Sequence, residues 1–240
     1  METAYIRNCL CVIPVHNEQD VLLDLVCKLK ALNLLNIDIN IDFIFINDGS
    51  VDGSEKILID SDMKYISLIN NLGIGGAMQC GYIYAKKNGY DYVVQIDGDG
   101  QHPPEELKKL LLSADKYKED LIIGSRFISN NDYKPSIARR LGMIYSSWLL
   151  KLVIGQKIYD TTSGFRLTKK KLVHFFSNEY PQHEAGLVSL LMAAKAGFRF
   201  KEIPIQMNQR QTGKSSINIT RALFYPFKTV INSIATIMKE

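Results

Sequence analysis

Cysteine is scarce in this chain, and paired cysteine motifs are absent. Cys9, Cys11, Cys27 and Cys80 form no C-x-x-C pair, so neither a disulfide framework nor a zinc site of that type is indicated. A core built from 240 residues needs no such staple. Cys9 and Cys11 read as small buried hydrophobes in a first strand, in a reducing cytoplasm. Long apolar runs are also missing. No stretch reaches the roughly 18 apolar residues of a membrane-spanning helix; the nearest, LGMIYSSWLLKLVIG, carries two serines and a lysine. The short run CLCVIPV passes directly into HNEQD, so no secretory leader is expected. Excess charge is small: a net +4 with a pI near 8.7 does not point to nucleic acid, but suits an anionic substrate or an anionic membrane surface. Internal repeats, low-complexity tracts and obvious linkers are absent.

What is present is an alternation. Strand-like apolar runs at 10–15, 41–46, 65–69, 92–96 and 121–125 are separated by segments with helical spacing at 19–33, 54–59, 77–87 and 103–117. In the first of these helices Val21, Leu22, Leu25, Val26, Leu29 and Leu32 share one face. The helix at 103 opens with two prolines and carries Glu105 and Glu106 in its first turn, where the dipole favours negative charge. Strand and helix in turn imply parallel crossovers and an α/β sheet covered by helices. Ligands of such sheets bind beyond the carboxyl ends of the strands. Those ends are 14–18, 47–50, 70–76 and 97–101, and each is polar or glycine-rich. The second half predicts helices at 139–154, 184–196 and 219–238, the first and last amphipathic with aromatic, aliphatic and basic residues.

The exit of the fourth strand, QIDGDGQHPPEEL, carries the most chemistry. Asp97 and Asp99 stand one glycine apart, and carboxylates that close repel unless a cation lies between them. A solvated turn is the alternative. Mg²⁺ or Mn²⁺ keeps waters and bridges one or two carboxylates to substrate phosphates. Gln101 can add an amide oxygen, whereas nothing nearby in sequence completes an all-protein cage, so the pattern implies a phosphate-bearing ligand. His102 is read as a solvent-facing residue ahead of a helix rather than a ligand. Asp48 of NDGS, and Asn17 and Glu18 of PVHNE, can accept from a base or ribose. NLGIGGA is like a phosphate loop at a helix start, but it matches neither G-x-x-x-x-G-K-[ST] nor G-x-G-x-x-G, and helix packing explains its glycines equally well.

Seven segments, in order, carry a resemblance: VIPVHNE, INDGSVDGS, NLGIGGAMQCGYIYA, QIDGDGQHPPEEL, IIGSRF, DTTSGFRL and EIPIQMNQRQTGKSS. Together they resemble family 2 glycosyltransferases, in particular the polyprenyl-phosphate sugar synthases of the dolichyl-phosphate mannose synthase-like branch, over about residues 10–216. The chain has DGD where that family often has alanine in the middle; either small residue keeps the turn open. The resemblance implies a GT-A fold: a mostly parallel nucleotide-binding sheet flanked by helices, with a catalytic domain over 1–216; the residue pattern of 217–240 is that of an amphipathic helix suited to associating with a membrane. It implies Mg²⁺ or Mn²⁺ at Asp97, Asp99 and Gln101, and a nucleoside lined by Pro14, Asn17, Glu18 and Asp48, with Gly76 at the phosphate loop. Arg126, Arg139, Arg210 and Lys214, with Ser215 beside it, would meet the acceptor phosphate or the leaving diphosphate. Arg126 and Arg210 would join the two aspartates in catalysis, and Arg139 shares its place with Arg140.

The implied reaction moves a sugar, with inversion, from a nucleotide-sugar to a polyprenyl phosphate; between UDP and GDP the choice is open, with UDP favoured. That acceptor arrives as an anion and needs no general base. A sugar hydroxyl, the acceptor in surface polysaccharide synthesis, would need one, and Glu184 lies where such a base could stand, although a first-turn helix carboxylate accounts for it too. The expected location is the inner face of the cell membrane, held peripherally or through a small membrane-protein partner. A sugar-phosphate nucleotidyltransferase is disfavoured by the absence of its glycine- and arginine-rich N-terminal loop. A non-catalytic nucleotide-binding module would bind UDP without consuming a UDP-sugar.

Overall fold

A strand buried on both faces opens the chain. In β1 (Arg7–Val15) every residue from Cys9 to Ile13 is inaccessible to solvent. Each such aliphatic side chain contributes up to about 1.5–3 kcal/mol of burial, so this strand must lie at the centre of a covered sheet. The computed structural model describes residues 6–34, 37–100, 102–128, 137–182 and 185–207. After β1 come α1 (Gln19–Ala31), β2 (Ile39–Asp48), α2 (Ser54–Asp60), β3 (Tyr65–Leu68), α3 (Gly73–Lys87) and β4 (Tyr92–Gln95). A 3-10 turn at Pro104–Glu106 then leads into α4 (Leu107–Lys116), followed by β5 (Leu121–Ser125) and α5 (Ile137–Ile154). The remaining elements are β6 (Arg166–Lys169), α6 (Lys170–Asn178), α7 (Ala185–Lys195) and β7 (Phe200–Pro204).

The seven strands form one sheet in the order β3-β2-β1-β4-β6-β5-β7. Among the described strands only β6 runs against the others, pairing antiparallel with both β4 and β5. Alternating residues of β1 feed two cores. Leu10 and Val12 face a layer with Met78 and Tyr82 of α3, Phe176 of α6 and Leu190 of α7. Cys9, Cys11 and Ile13 face Leu22 and Leu25 of α1 and Leu107 and Leu111 of α4. The expected mostly parallel α/β sandwich is therefore present.

Three elements, β6, α6 and β7, were not anticipated from the sequence. β6 is only RLTK, and α6 follows it without a break. Four residues, two of them basic, give no apolar run. The strand is specified by its two neighbours and by a buried Arg166.

The second-half helices differ in what can be compared. The expected helices at 139–154 and 184–196 are present as α5 and α7, while the one at 219–238 lies outside the described residues. Among the described residues no helix is long and apolar enough to cross a membrane.

Candidate active site

The parallel strands end on one edge, and the chain reverses direction there. From β1 it moves outward to β2 and β3, then returns to place β4 on the other side of β1. The crevice at such a reversal is where open α/β sheets bind ligands. On one side of it lies the exit of β1, on the other the Asp97–Gly98–Asp99 turn. The two touch: a Cβ on Gly98 would lie 2.7 Å from the Pro14 carbonyl oxygen, so only glycine lets the acidic turn sit this close.

The β1 and β2 exits are tied together. Asn17, in the left-handed region at φ 56°, donates its amide N–H to Ser50 Oγ at 3.1 Å and accepts from the Val51 N–H at 2.9 Å. The Glu18 N–H donates to Ser54 Oγ at 2.9 Å. Asp48 is buried, and its Oδ1 accepts from the Leu72 N–H at 2.7 Å, joining β2 to the start of α3.

His16, not singled out from sequence, is a hub. Its Nδ1 lies 2.8 Å from the Asp48 carbonyl oxygen. A carbonyl only accepts, so Nδ1 carries the proton and Nε2 accepts from the side-chain amides of Asn17 and Asn71, at 3.1 and 2.9 Å. Pro14, Asn17, Glu18 and Asp48 thus gather along one wall of the crevice. Gly76 sits in the first turn of α3, where a Cβ would meet Leu72 and, at 3.1 Å, Gln182 Oε1. In this structure Gly75 and Gly76 let the 181–182 segment lie against the helix.

Asp97 is held from several directions. Its backbone N–H donates to His102 Nδ1 at 3.3 Å, and its Oδ1 accepts from Gln95 Nε2 at 2.9 Å. The expectation of a solvent-facing His102 is corrected here. The ring is 2% exposed and stacks on Phe165 with centroids 5.0 Å apart. Because Phe165 arrives from a distant loop, nothing local in the sequence signalled this burial. Asp99 is half-buried in the turn itself.

The donor set has the chemistry of a hard-cation site that a ligand must finish. Two carboxylates stand at the sheet edge, and among the described residues no group of three or more His, Cys, Asp or Glu side chains forms a cage. Such a pair suits Mg²⁺ or Mn²⁺ when water and phosphate oxygens complete the shell.

Arg126, at the end of β5, is 4% exposed. Its Nε and one terminal nitrogen bind the Asp160 carboxylate at 2.7 and 2.6 Å, and the same terminal nitrogen donates to Thr162 Oγ1 at 2.7 Å. Burial pushes Asp160 toward its neutral form, but the bonds and charge of Arg126 outweigh this and hold the carboxyl below its ordinary range. Glu202 of β7 braces the same corner by accepting from the Tyr159 and Asp160 N–H groups, both at 2.8 Å. Arg126 therefore grips the 160–165 loop through Nε and one terminal nitrogen. Gln101, Arg210, Lys214, Ser215 and Glu184 lie outside the described residues, as does the side chain of Arg139.

The Glycosyl transferase family 2 model matches residues 10–176. The chain belongs to this family. Across 90% of its length it is 28% identical to polyprenol monophosphomannose synthase from Mycolicibacterium smegmatis, covering 84% of that protein. It is 26% identical to the UDP-N-acetylglucosamine–dolichyl-phosphate N-acetylglucosaminyltransferase of Methanococcus voltae, over 81% of this chain and 83% of that one. In fold it is similar to glucosyl-3-phosphoglycerate synthase from Mycobacterium tuberculosis, solved in complex with Mn²⁺, UDP and glucosyl-3-phosphoglycerate. The TM-score is 0.70 at 14% identity, covering 96% of this chain and 80% of that one. This glycosyltransferase therefore has the GT-A fold.

Proposed function

We propose that this glycosyltransferase moves a sugar, with inversion, from a nucleoside diphosphate to a polyprenyl phosphate at the inner surface of the cell membrane, with UDP as the favoured nucleotide. The observation that carries the reading is the Asp97–Gly98–Asp99 turn packed against the β1 exit at the point where strand order reverses. The names of the two relatives above, both sugar transferases acting on polyprenyl-type lipids, support the acceptor class. The fold neighbour bound to Mn²⁺ and UDP supports the donor side.

Asp97 and Asp99, with Gln101, would hold Mg²⁺ or Mn²⁺, which when bound supplies charge neutralisation for the leaving diphosphate. The wall formed by Pro14, Asn17, Glu18 and Asp48 orients the nucleoside, with Gly76 at the phosphate side. An oxygen of the acceptor phosphate attacks the anomeric carbon opposite the departing diphosphate oxygen. One C–O bond forms as the other breaks, and no proton has to be removed. Arg139, Arg210, Lys214 and Ser215 are the proposed acceptor-phosphate contacts, and Arg126 assists catalysis by fixing the loop beside Asp97. The catalytic domain is proposed to span 1–216, with 217–240 as a membrane-associating helix.

One face of α5 supports a peripheral location. Ile144, Trp148 and Leu152, four residues apart, are 58%, 57% and 63% exposed, while Met143, Ser146, Ser147 and Leu150 face inward. An apolar stripe one turn per residue suits an interfacial helix.

The test is a panel of nucleotide-sugars with Mn²⁺ and a short-chain polyprenyl phosphate, products read by mass spectrometry. The expected product is a polyprenyl-phosphate sugar, lost with chelator and reduced at least about a hundredfold in Asp99→Asn. Turnover indifferent to chelator overturns the metal reading. Glycosylation of a free sugar hydroxyl in place of the lipid phosphate transfers the assignment to polysaccharide synthesis. A small membrane-protein partner is required only if the purified chain fails to act on polyprenyl phosphate in liposomes.

A further inference from the structure

Gln95 is a buried polar residue that the proposed reaction does not use. It is the last residue of β4, and its side-chain amide donates to Asp97 Oδ1 at 2.9 Å. A third element closes on the same pair. A Cβ on Gly164 would lie 2.5 and 2.6 Å from the two Asp97 carboxylate oxygens and 2.7 Å from Gln95 Nε2. The bare backbone of Gly164 therefore lies flat against an amide–carboxylate pair that no larger residue would admit.

The loop that carries Gly164 is fixed at both ends. Arg126 holds Asp160 and Thr162. Arg166, opposite Gln95 in the β4–β6 register, is buried. It donates to the Ser163 carbonyl at 2.7 Å, the Thr161 carbonyl at 2.9 Å and the Gly186 carbonyl at 3.1 Å. The plate behind Asp97 is thus tied into the sheet and to the start of α7.

We infer that Gln95 is a positioning residue. With Gly164 it locks the Asp97 carboxylate so that Oδ1 is occupied by the amide and Oδ2 is presented to the divalent cation of the donor complex. The side chain of Asp97 is 27% exposed, and Oδ2 lies 3.8 Å from His102 Nδ1, beyond hydrogen-bond range. A carboxylate fixed through one oxygen acts as a one-oxygen ligand and loses little rotamer freedom on binding. Partners of this kind commonly alter metal affinity 10- to 100-fold when removed. The inference rests on the proposed role of Asp97 as a cation ligand.

The test separates the two. UDP binding is measured by calorimetry with and without Mn²⁺, with GDP as a parallel arm, and free Mn²⁺ is followed by its paramagnetic resonance signal. For wild type, Mn²⁺ tightens nucleotide binding. In Gln95→Met, similar in length but without the donor, the Mn²⁺-dependent gain falls at least about tenfold, while nucleotide affinity without metal is unchanged. Gly164→Ala, which presses on the carboxylate from the other side, gives the same split and carries the test should Gln95→Met fail to fold. If wild type shows no Mn²⁺ dependence, the cation reading of Asp97 falls. If wild type shows it and the folded variants retain it in full, the inference about Gln95 is overturned and the cation reading stands.

Discussion

A methyl group on residue 98 would meet the Pro14 carbonyl oxygen at 2.7 Å, and that oxygen belongs to backbone with no rotamer to yield. Gly98→Ala must therefore shift either the acidic turn or the β1 exit. The expected cost is about 1–3 kcal/mol in denaturant unfolding, as for other overpacked sites. Turnover should fall by more than tenfold even at saturating donor and Mn²⁺, because a displacement well under 1 Å already disturbs a reacting geometry. Wild-type turnover in the Gly98→Ala protein would show that the turn tolerates displacement. At this scale the sequence was informative about groups whose chemistry is local. Asp97 and Asp99 stand out because two like charges one residue apart demand an explanation, and Asp48 and Asn17 stand out because they end strands. It was silent about groups defined by partners far along the chain. His102 is buried by Phe165, Arg126 is occupied by Asp160, and Gln95 matters only because Gly164 folds back onto it.

At the scale of elements, helical spacing and strand-like runs anticipated α1, α3, α5 and the parallel strands β1 to β5 within a few residues, because burial on one or both faces writes itself into periodicity. β6 carries no such signature. On α5 the spacing alone could not decide between packing on the sheet and lying at an interface. The structure turns Ile144, Trp148 and Leu152 outward. A triple replacement of these three by glutamine should change unfolding free energy by no more than about 0.5 kcal/mol per site, as at other exposed positions. Co-sedimentation with anionic vesicles should weaken at least about tenfold, since losing little more than 1.4 kcal/mol of apolar burial suffices. Undiminished vesicle binding would remove α5 from the membrane contact and leave the 217–240 segment as its remaining candidate.

For the whole molecule, two carboxyls at one corner, buried Asp160 and half-buried Glu202, give opposite pH dependences. Asp160 is held below its ordinary value of 3.8, Arg126 overcoming burial; its stabilisation is complete above about pH 4 and is lost as pH falls through the folded value. Glu202 is raised from 4.5, chiefly by burial; its contribution is complete below the unfolded value and is lost as pH rises through the folded one. Denaturant melts at stepped pH should therefore show a shallower acid limb in Asp160→Asn, with neutral stability lower by about 3–5 kcal/mol because Arg126 is left unpaired. Glu202→Gln should flatten the decline that sets in above pH 4.5. Unaltered slopes in both variants would mean other groups govern the profile. The antiparallel strand β6 bears on how this protein comes into being. β4 ends in the acidic turn, yet its outer hydrogen-bonding side is closed only by residues 166–169. A ribosome must therefore synthesise the whole α4–α5 stretch before that ladder is complete. A chain cut or halted inside that interval keeps the β1–β4 crevice and its acidic turn but exposes a raw, apolar strand edge that invites aggregation.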